Sequence, residues 1–391
     1  MIYLDNAATS YPKPEAVYDA TVTFARASGG NPGRAGHRLA VEAETMIDDT
    51  RRLLARLFGA PRPERVVFTL NATDSLNMAI KGVLRPGDHV ITSVLEHNSV
   101  NRPLNRLEHD GAITLTRLPA GADHLIEPQA VAAAWRPATR LVAVTHASNV
   151  VGTLQPAGAI GRLVRERDGL LLVDAAQTAG VVPIDVEGDA IDLLAFTGHK
   201  GLLGPTGTGG LVVGERVEPA PWRDGGTGGD SASPLQPDEL PYRLEGGTPN
   251  IFGIAGLRAG VRIVLEEGAE VIGRRERELM TLLLQGLTTP DRFAFYGADD
   301  AFLRRGGAGR VGLLSFNLAG FSPSELGLLL DQSFDIAARS GLDCAPYAHR
   351  HLGTFPDGAV RLSAGYLTTA DDVRRAADAL NEVSALADRT D

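Results

Sequence analysis

Two short apolar runs constrain this chain more than any other feature. Leu170-Leu171-Leu172-Val173 ends at Asp174, and Leu193-Leu194-Ala195-Phe196 ends at Thr197-Gly198-His199-Lys200. Each run is too short for an ordinary helix and is continuous rather than alternating. That is the pattern of a strand buried on both faces, and such strands belong to parallel sheets covered by helices. The flanking chain keeps the same rhythm. Strand patterns at 65–70, 90–94, 112–117, 141–145 and 210–213 alternate with helix patterns at 73–84 and 160–167. This predicts an α/β fold with a mostly parallel sheet between helices.

Residues 217–249 are rich in Pro, Gly, Asp and Ser and read as an irregular loop region. A long helical section is expected from 254 to 287. Beyond about 290 the alternation is lost, with strands expected at 312–318 and 359–363 and helices at 322–331 and 369–386. Thr369-Ala370-Asp371-Asp372 has the form of a capping box with Asp as its acid. The expected division is an N-terminal arm at 1–12, a large α/β domain at 13–262 and a smaller α+β domain at 263–391.

Composition excludes several classes. The net charge of −10 argues against unaided binding to nucleic acid or to an anionic membrane. No run approaches the ~18 apolar residues of a membrane span. Met1-Ile2-Tyr3-Leu4-Asp5-Asn6 has neither the basic nor the apolar segment of a signal peptide, and Cys344 is the sole cysteine. A cytoplasmic setting is expected.

An acid and an amine, each just past a buried strand, lie where open α/β sheets bind ligands. Pyridoxal phosphate needs both: a carboxylate to keep its ring nitrogen protonated and a desolvated lysine to hold its aldehyde. Asp174 and Lys200 are the candidates; singly, Asp174 could merely end a strand. Asn71-Ala72-Thr73 opens a helix whose first N–H groups suit a phosphate, although Thr73 could equally be a plain cap. Thr197 and His199 flank Lys200 and could bond the same phosphate. His97, in Glu96-His97-Asn98-Ser99, could stack on a flat ring or be an ordinary loop histidine. Arg361 lies inside a strand-like run and needs an anion, either a substrate α-carboxylate or a structural partner. Cys344, in a loop after Arg339 and near His349, is a nucleophile candidate, since positive neighbours favour thiolate. Asp343 acts the other way on that thiol. The small residues of Leu4-Asp5-Asn6-Ala7-Ala8-Thr9 permit close approach of backbone to a ligand, or form an unremarkable arm. No metal site is expected.

Together these segments resemble the class V aminotransferase family of fold-type-I pyridoxal-phosphate enzymes, and within it the cysteine desulfurase and selenocysteine lyase branch. The likeness extends through Ser148-Asn149-Val150-Val151-Gly152-Thr153, Val173-Asp174-Ala175-Ala176-Gln177, Gly246-Gly247-Thr248-Pro249-Asn250 and Val360-Arg361-Leu362-Ser363. It implies a seven-stranded-type sheet in the large domain. Lys200 would be the Schiff-base lysine, Asp174 the ring-nitrogen partner, Gln177 the partner of the ring hydroxyl, and His97 the stacking ring. Ala72, Thr73, Thr197 and His199 would hold the phosphate. Thr248 would reach the phosphate of a neighbouring subunit, implying a homodimer with shared sites. Asn149 and Arg361, with Ala8 and His37, would bind substrate. Cys344 would take the substrate sulfur as a persulfide and pass it to an acceptor protein. The compact Ser340-Gly341-Leu342-Asp343-Cys344-Ala345-Pro346 segment resembles group II desulfurases, except that Asp343 stands where those enzymes commonly have histidine.

The expected activity is conversion of L-cysteine to L-alanine, with Lys200 and His97 as proton carriers. Other class V chemistries remain open: selenocysteine lyase, β-eliminating C–S lyase, epimerase or aminotransferase. So does a cofactor-free α/β scaffold.

Overall fold

The computed structural model describes residues 1–33, 36–228, 232–297 and 308–387. Seven strands form the central sheet: β2 (Val66–Thr69), β3 (His89–Ser93), β4 (Thr114–Leu118), β5 (Thr139–Thr145), β6 (Leu170–Asp174), β7 (Leu193–Thr197) and β8 (Gly209–Val213). Their order is β2-β8-β7-β6-β5-β3-β4. Only β8 runs against its neighbours; the other pairings are parallel. The two apolar runs become adjacent strands, with Asp174 opposite Ala195. Every residue of β6 and β7 is buried. Fully burying a leucine is worth roughly 1.5–3 kcal/mol, so the apolar runs anchor the sheet while their polar ends stay at its carboxyl edge.

The helix Ala72–Val83 starts where β2 ends. The Asn71 side chain caps it by accepting from the Asp74 N–H at 3.0 Å. Its buried face of Leu76, Ala79, Ile80 and Val83 lies on the sheet. Strand β8 passes so close to this cap that only glycine fits. A Cβ at Gly209 would lie 2.7 Å from Asn71 Cα and 2.9 Å from the Phe196 carbonyl oxygen.

The C-terminal part has its own core, including Met280, Leu283, Phe316, Leu362, Val373 and Leu380. Its four-stranded antiparallel sheet consists of Arg339–Gly341, Ala359–Ser363, Leu313–Leu318 and Phe293–Tyr296, in that order. The first strand of the chain, Ile2–Tyr3, pairs in parallel with Ile336–Ala337. The Ala7 N–H then donates to Ser363 Oγ at 2.8 Å. The arm is thereby tied to the C-terminal part and led towards the end of the large sheet.

The structure departs from the sequence reading in several places. The helical section expected from 254 to 287 is two helices, Ile251–Glu267 and Ala269–Gln285, parted at Gly268, whose φ of +90° favours glycine. The segment after His97 forms the helix Asn98–His109, and part of the cysteine loop forms the helix Pro346–Leu352. Thr369 and Asp372 do form the reciprocal cap anticipated at the last helix. Among the described residues no helix is long and apolar enough to cross a membrane.

Replacing Gly209 with alanine should force β8 away from Asn71. The expected loss of unfolding free energy is about 1–3 kcal/mol, as for other overpacked sites, read as a lower denaturant midpoint.

Candidate active site

The carboxyl ends of β6 and β7, the N-terminus of the Ala72–Val83 helix and the arm enclose a cavity of about 250 Å³. Ala8, Ala72, Thr73, His97, Asn149, Asp174, Gln177, Thr197, His199, Lys200, Cys344 and Arg361 all line it. Twelve residues drawn from separate segments of sequence thus meet at one place. His37 is not among them. Its ring caps the helix Arg38–Phe58 by accepting from the Ala40 N–H at 3.3 Å. Thr248 lies instead on an exposed loop lining a second cavity of about 680 Å³, together with Arg223, Leu70 and Asn250.

Asp174 is buried, and Oδ1 accepts one hydrogen bond, from the Ala176 N–H at 2.9 Å. Burial pushes its carboxyl up; the Ala176 N–H and Lys200 pull the other way. A cationic N–H opposite this carboxylate would relieve that penalty. Lys200 is pushed down to about 8, chiefly by burial and secondarily by Arg361, while Asp174, Asp5 and Asp343 oppose the shift. An amine in that range has a substantial neutral fraction near neutral pH, as attack on an aldehyde requires.

The opposite wall is built to receive an anion. Thr197 Oγ1 and His199 Nδ1 are buried without hydrogen-bond partners. They face the same cavity as Ala72 and Thr73, whose N–H groups open a twelve-residue helix. Thr73 Oγ1 is 2.6 Å from Ser99 Oγ, which also lies 2.9 Å from His97 Nδ1. Burial holds the His97 ring down to about 4, so it is neutral near pH 7. Its Nδ1 accepts from the Ser99 N–H at 3.0 Å, which places the ring proton on Nε2. Gln177 donates from Nε2 to the Ala7 carbonyl at 3.1 Å. Orphaned donors at one end and an under-satisfied carboxylate at the other fit pyridoxal phosphate.

Arg361 comes from the strand Ala359–Ser363. Its Nη2 donates to Asp5 Oδ1 at 3.0 Å and its Nη1 to the Asn149 carbonyl at 2.9 Å. Asn149 Nδ2 in turn donates to the Asp343 carbonyl at 2.7 Å. Cys344 is exposed and has a φ of +56°. His349 does not join it; that ring is buried and sits 2.8 Å from Thr354 Oγ1. Arg339 and Asp343, expected only as influences on the Cys344 thiol, line the cavity themselves, and so does Ser99, for which no site role was expected. Arg339 is brought there by the pairing of Arg339–Gly341 with Ala359–Ser363, for which the local sequence carries no signal. Among the described residues no group of three or more His, Cys, Asp or Glu could hold a metal.

A lysine and an acid at the ends of neighbouring parallel strands, with an anion cradle between them, define an α/β enzyme of the fold-type-I transferase class. The chain belongs to the class-V aminotransferase family, whose model matches residues 2–376. It is 33% identical to a probable cysteine desulfurase of Methanothermobacter thermautotrophicus, over 98% of this chain and 95% of that protein. The apo structure of a cysteine desulfurase from Thermococcus onnurineus NA1 superposes with a TM-score of 0.90 and 31% identity, covering 98% of this chain and 94% of the other. The cysteine desulfurase CsdA of Escherichia coli gives 0.87 and 30%, with coverages of 98% and 95%.

Reductive methylation of Lys200 in cofactor-free protein should have its midpoint near pH 8, rather than at the ordinary 10.5. Asp174→Asn should lower that midpoint further, because it removes a carboxylate that favours the ammonium form. Mass spectrometry of the Lys200 peptide across pH measures both.

Proposed function

We propose that this chain is a pyridoxal-phosphate-dependent cysteine desulfurase that converts L-cysteine to L-alanine and leaves the sulfur as a persulfide on Cys344. The observation that carries the reading is that one cavity is lined by Lys200, Asp174, an anion cradle and the chain's only cysteine. That the desulfurases cited above match nearly the full length of this chain supports it.

In this reading Ala72, Thr73, Thr197 and His199 would hold the cofactor phosphate, Gln177 would serve the ring hydroxyl, and His97 would serve as the stacking ring. Bound pyridoxal phosphate supplies an electron sink for the bonding pair released at the substrate α-carbon. Asp174 keeps the ring nitrogen protonated so that the sink stays effective. Arg361 and Asn149, beside Ala8, orient the substrate carboxylate. Lys200 is the proton carrier at the α-carbon, since its pKa of about 8 lies nearer neutrality than the value of about 4 for His97. Cys344 thiolate attacks the substrate sulfur: an S–S bond forms, the C–S bond breaks, and its electron pair stays with the carbon that is then protonated. The products are alanine and an enzyme persulfide, which a sulfur-acceptor protein can discharge.

Thr248 is read as reaching the cofactor phosphate of a second copy. Its placement on an exposed loop outside the Lys200 cavity of its own chain supports a homodimer with shared sites. Light scattering should then give twice the 41.3 kDa chain mass; a monomer would remove the shared-site reading.

Incubation with L-cysteine should yield alanine without pyruvate. Cys344→Ala should abolish that yield while the lysine-bound cofactor absorbance persists. Lys200→Ala should slow turnover by ~10²–10⁴-fold, the usual worth of a proton carrier, or more. Pyruvate as the main product, or alanine formation surviving in Cys344→Ala, would instead point to an eliminating or other class V enzyme.

A further inference from the structure

The residue before the cysteine bears on substrate binding. The Asp343 side chain is wholly buried, and neither of its oxygens has a hydrogen-bond partner. Its nearest cations are Arg339 Nε at 3.4 Å and Arg361 Nη1 at 3.6 Å. Arg361 Nε likewise lacks a partner. Arginine and carboxylate are therefore side by side without the forked pairing of which both are capable. Burial pushes the Asp343 carboxyl up, and Asp5 adds to that against the pull of the two arginines. The backbone adds a second sign of imposed placement: Asp343 and Cys344 have φ of +47° and +56°, consecutive non-glycine residues in the left-handed region. The Asn149 side chain and the Asn98 N–H hold the two carbonyls, the latter at 2.7 Å.

We infer that Asp343 is a built-in competitor for the substrate carboxylate: in the substrate-free enzyme its carboxylate takes the anion position beside Arg361, and an incoming α-carboxylate must displace it. This rests on the proposed role of Arg361 as substrate anchor. A poorly paired internal anion weakens binding of ligands with a carboxylate and imposes no such penalty on ligands without one. Asp343 thereby sets the affinity for amino acids and, being joined to Cys344 by one peptide bond, links substrate arrival to the nucleophile loop.

The test compares two small ligands by calorimetry on the holoenzyme. L-Alanine has the carboxylate; ethylamine is the same skeleton without it. Asparagine tolerates left-handed backbone, so Asp343→Asn keeps shape and removes charge. It should bind L-alanine about tenfold more tightly, the scale of one charge competition in a partly screened site, with no gain for ethylamine. Asp343→Gly, also suited to this φ, should show the same gain, and KM for L-cysteine should fall in both variants. Unchanged or weaker L-alanine binding in the variants, or an equal gain for ethylamine, overturns the inference. Alanine formation from cysteine is assayed separately. A wild type that makes alanine while the variants show no gain refutes only the role of Asp343. A gain without desulfuration refutes only the proposed reaction.

Discussion

Desolvated charge at the carboxyl edge of the parallel sheet is the condition to which the rest of this molecule is fitted. Lys200 and Asp174 sit at the ends of neighbouring strands, and burial disfavours the ionised form of each. A third group is close by. Glu96 is fully buried, its Oε1 takes the Ser93 hydroxyl, and burial with help from Asp174 pushes it up to about 8. Glu96 therefore keeps its proton near neutrality. The apolar β6 and β7 strands make the edge dry, and that dryness shifts the lysine.

The C-terminal part supplies the other half of the site through strand pairing. Arg361 is opposite Arg339 in register, two cations on adjacent strands. Such a pair persists only with anions nearby, and the arm provides one in Asp5 while the cysteine loop provides Asp343. The Ile2–Tyr3 strand, paired with Ile336–Ala337, holds the arm in reach. The N-terminus thus serves as a structural counter-charge as well as a cavity wall.

The sheet was readable because its strands are continuous apolar runs ending in turn residues; each central strand falls within two residues of its expected bounds. The residues at those strand ends were readable for the same reason, since in a parallel sheet all of them emerge at one edge. What escaped was either short or distant. Strands of two or three residues carry no periodicity, and Ile336–Ala337 also depends on a partner, Ile2–Tyr3, more than three hundred residues away. The helix after His97 escaped because its cap is a histidine ring rather than a usual capping side chain. Asp343 was read for its through-space effect on the neighbouring thiol. Its left-handed backbone, which aims the carboxylate at Arg361 instead, has no signature in the local sequence.

The neutral state of His97 follows from the same dryness and has a consequence for the site's chemistry. A protonated imidazole here would sit in low dielectric beside Lys200 and Arg361, both of which lower its pKa further. With Nδ1 committed to the Ser99 N–H, the ring is fixed in orientation and in tautomer. It therefore presents an uncharged, rigid face. A flat neutral ring can lie against an aromatic cofactor without adding positive charge that would disfavour protonation of the ring nitrogen. Of the two groups, the amine at position 200 is the one whose pKa, about 8, lies near neutrality.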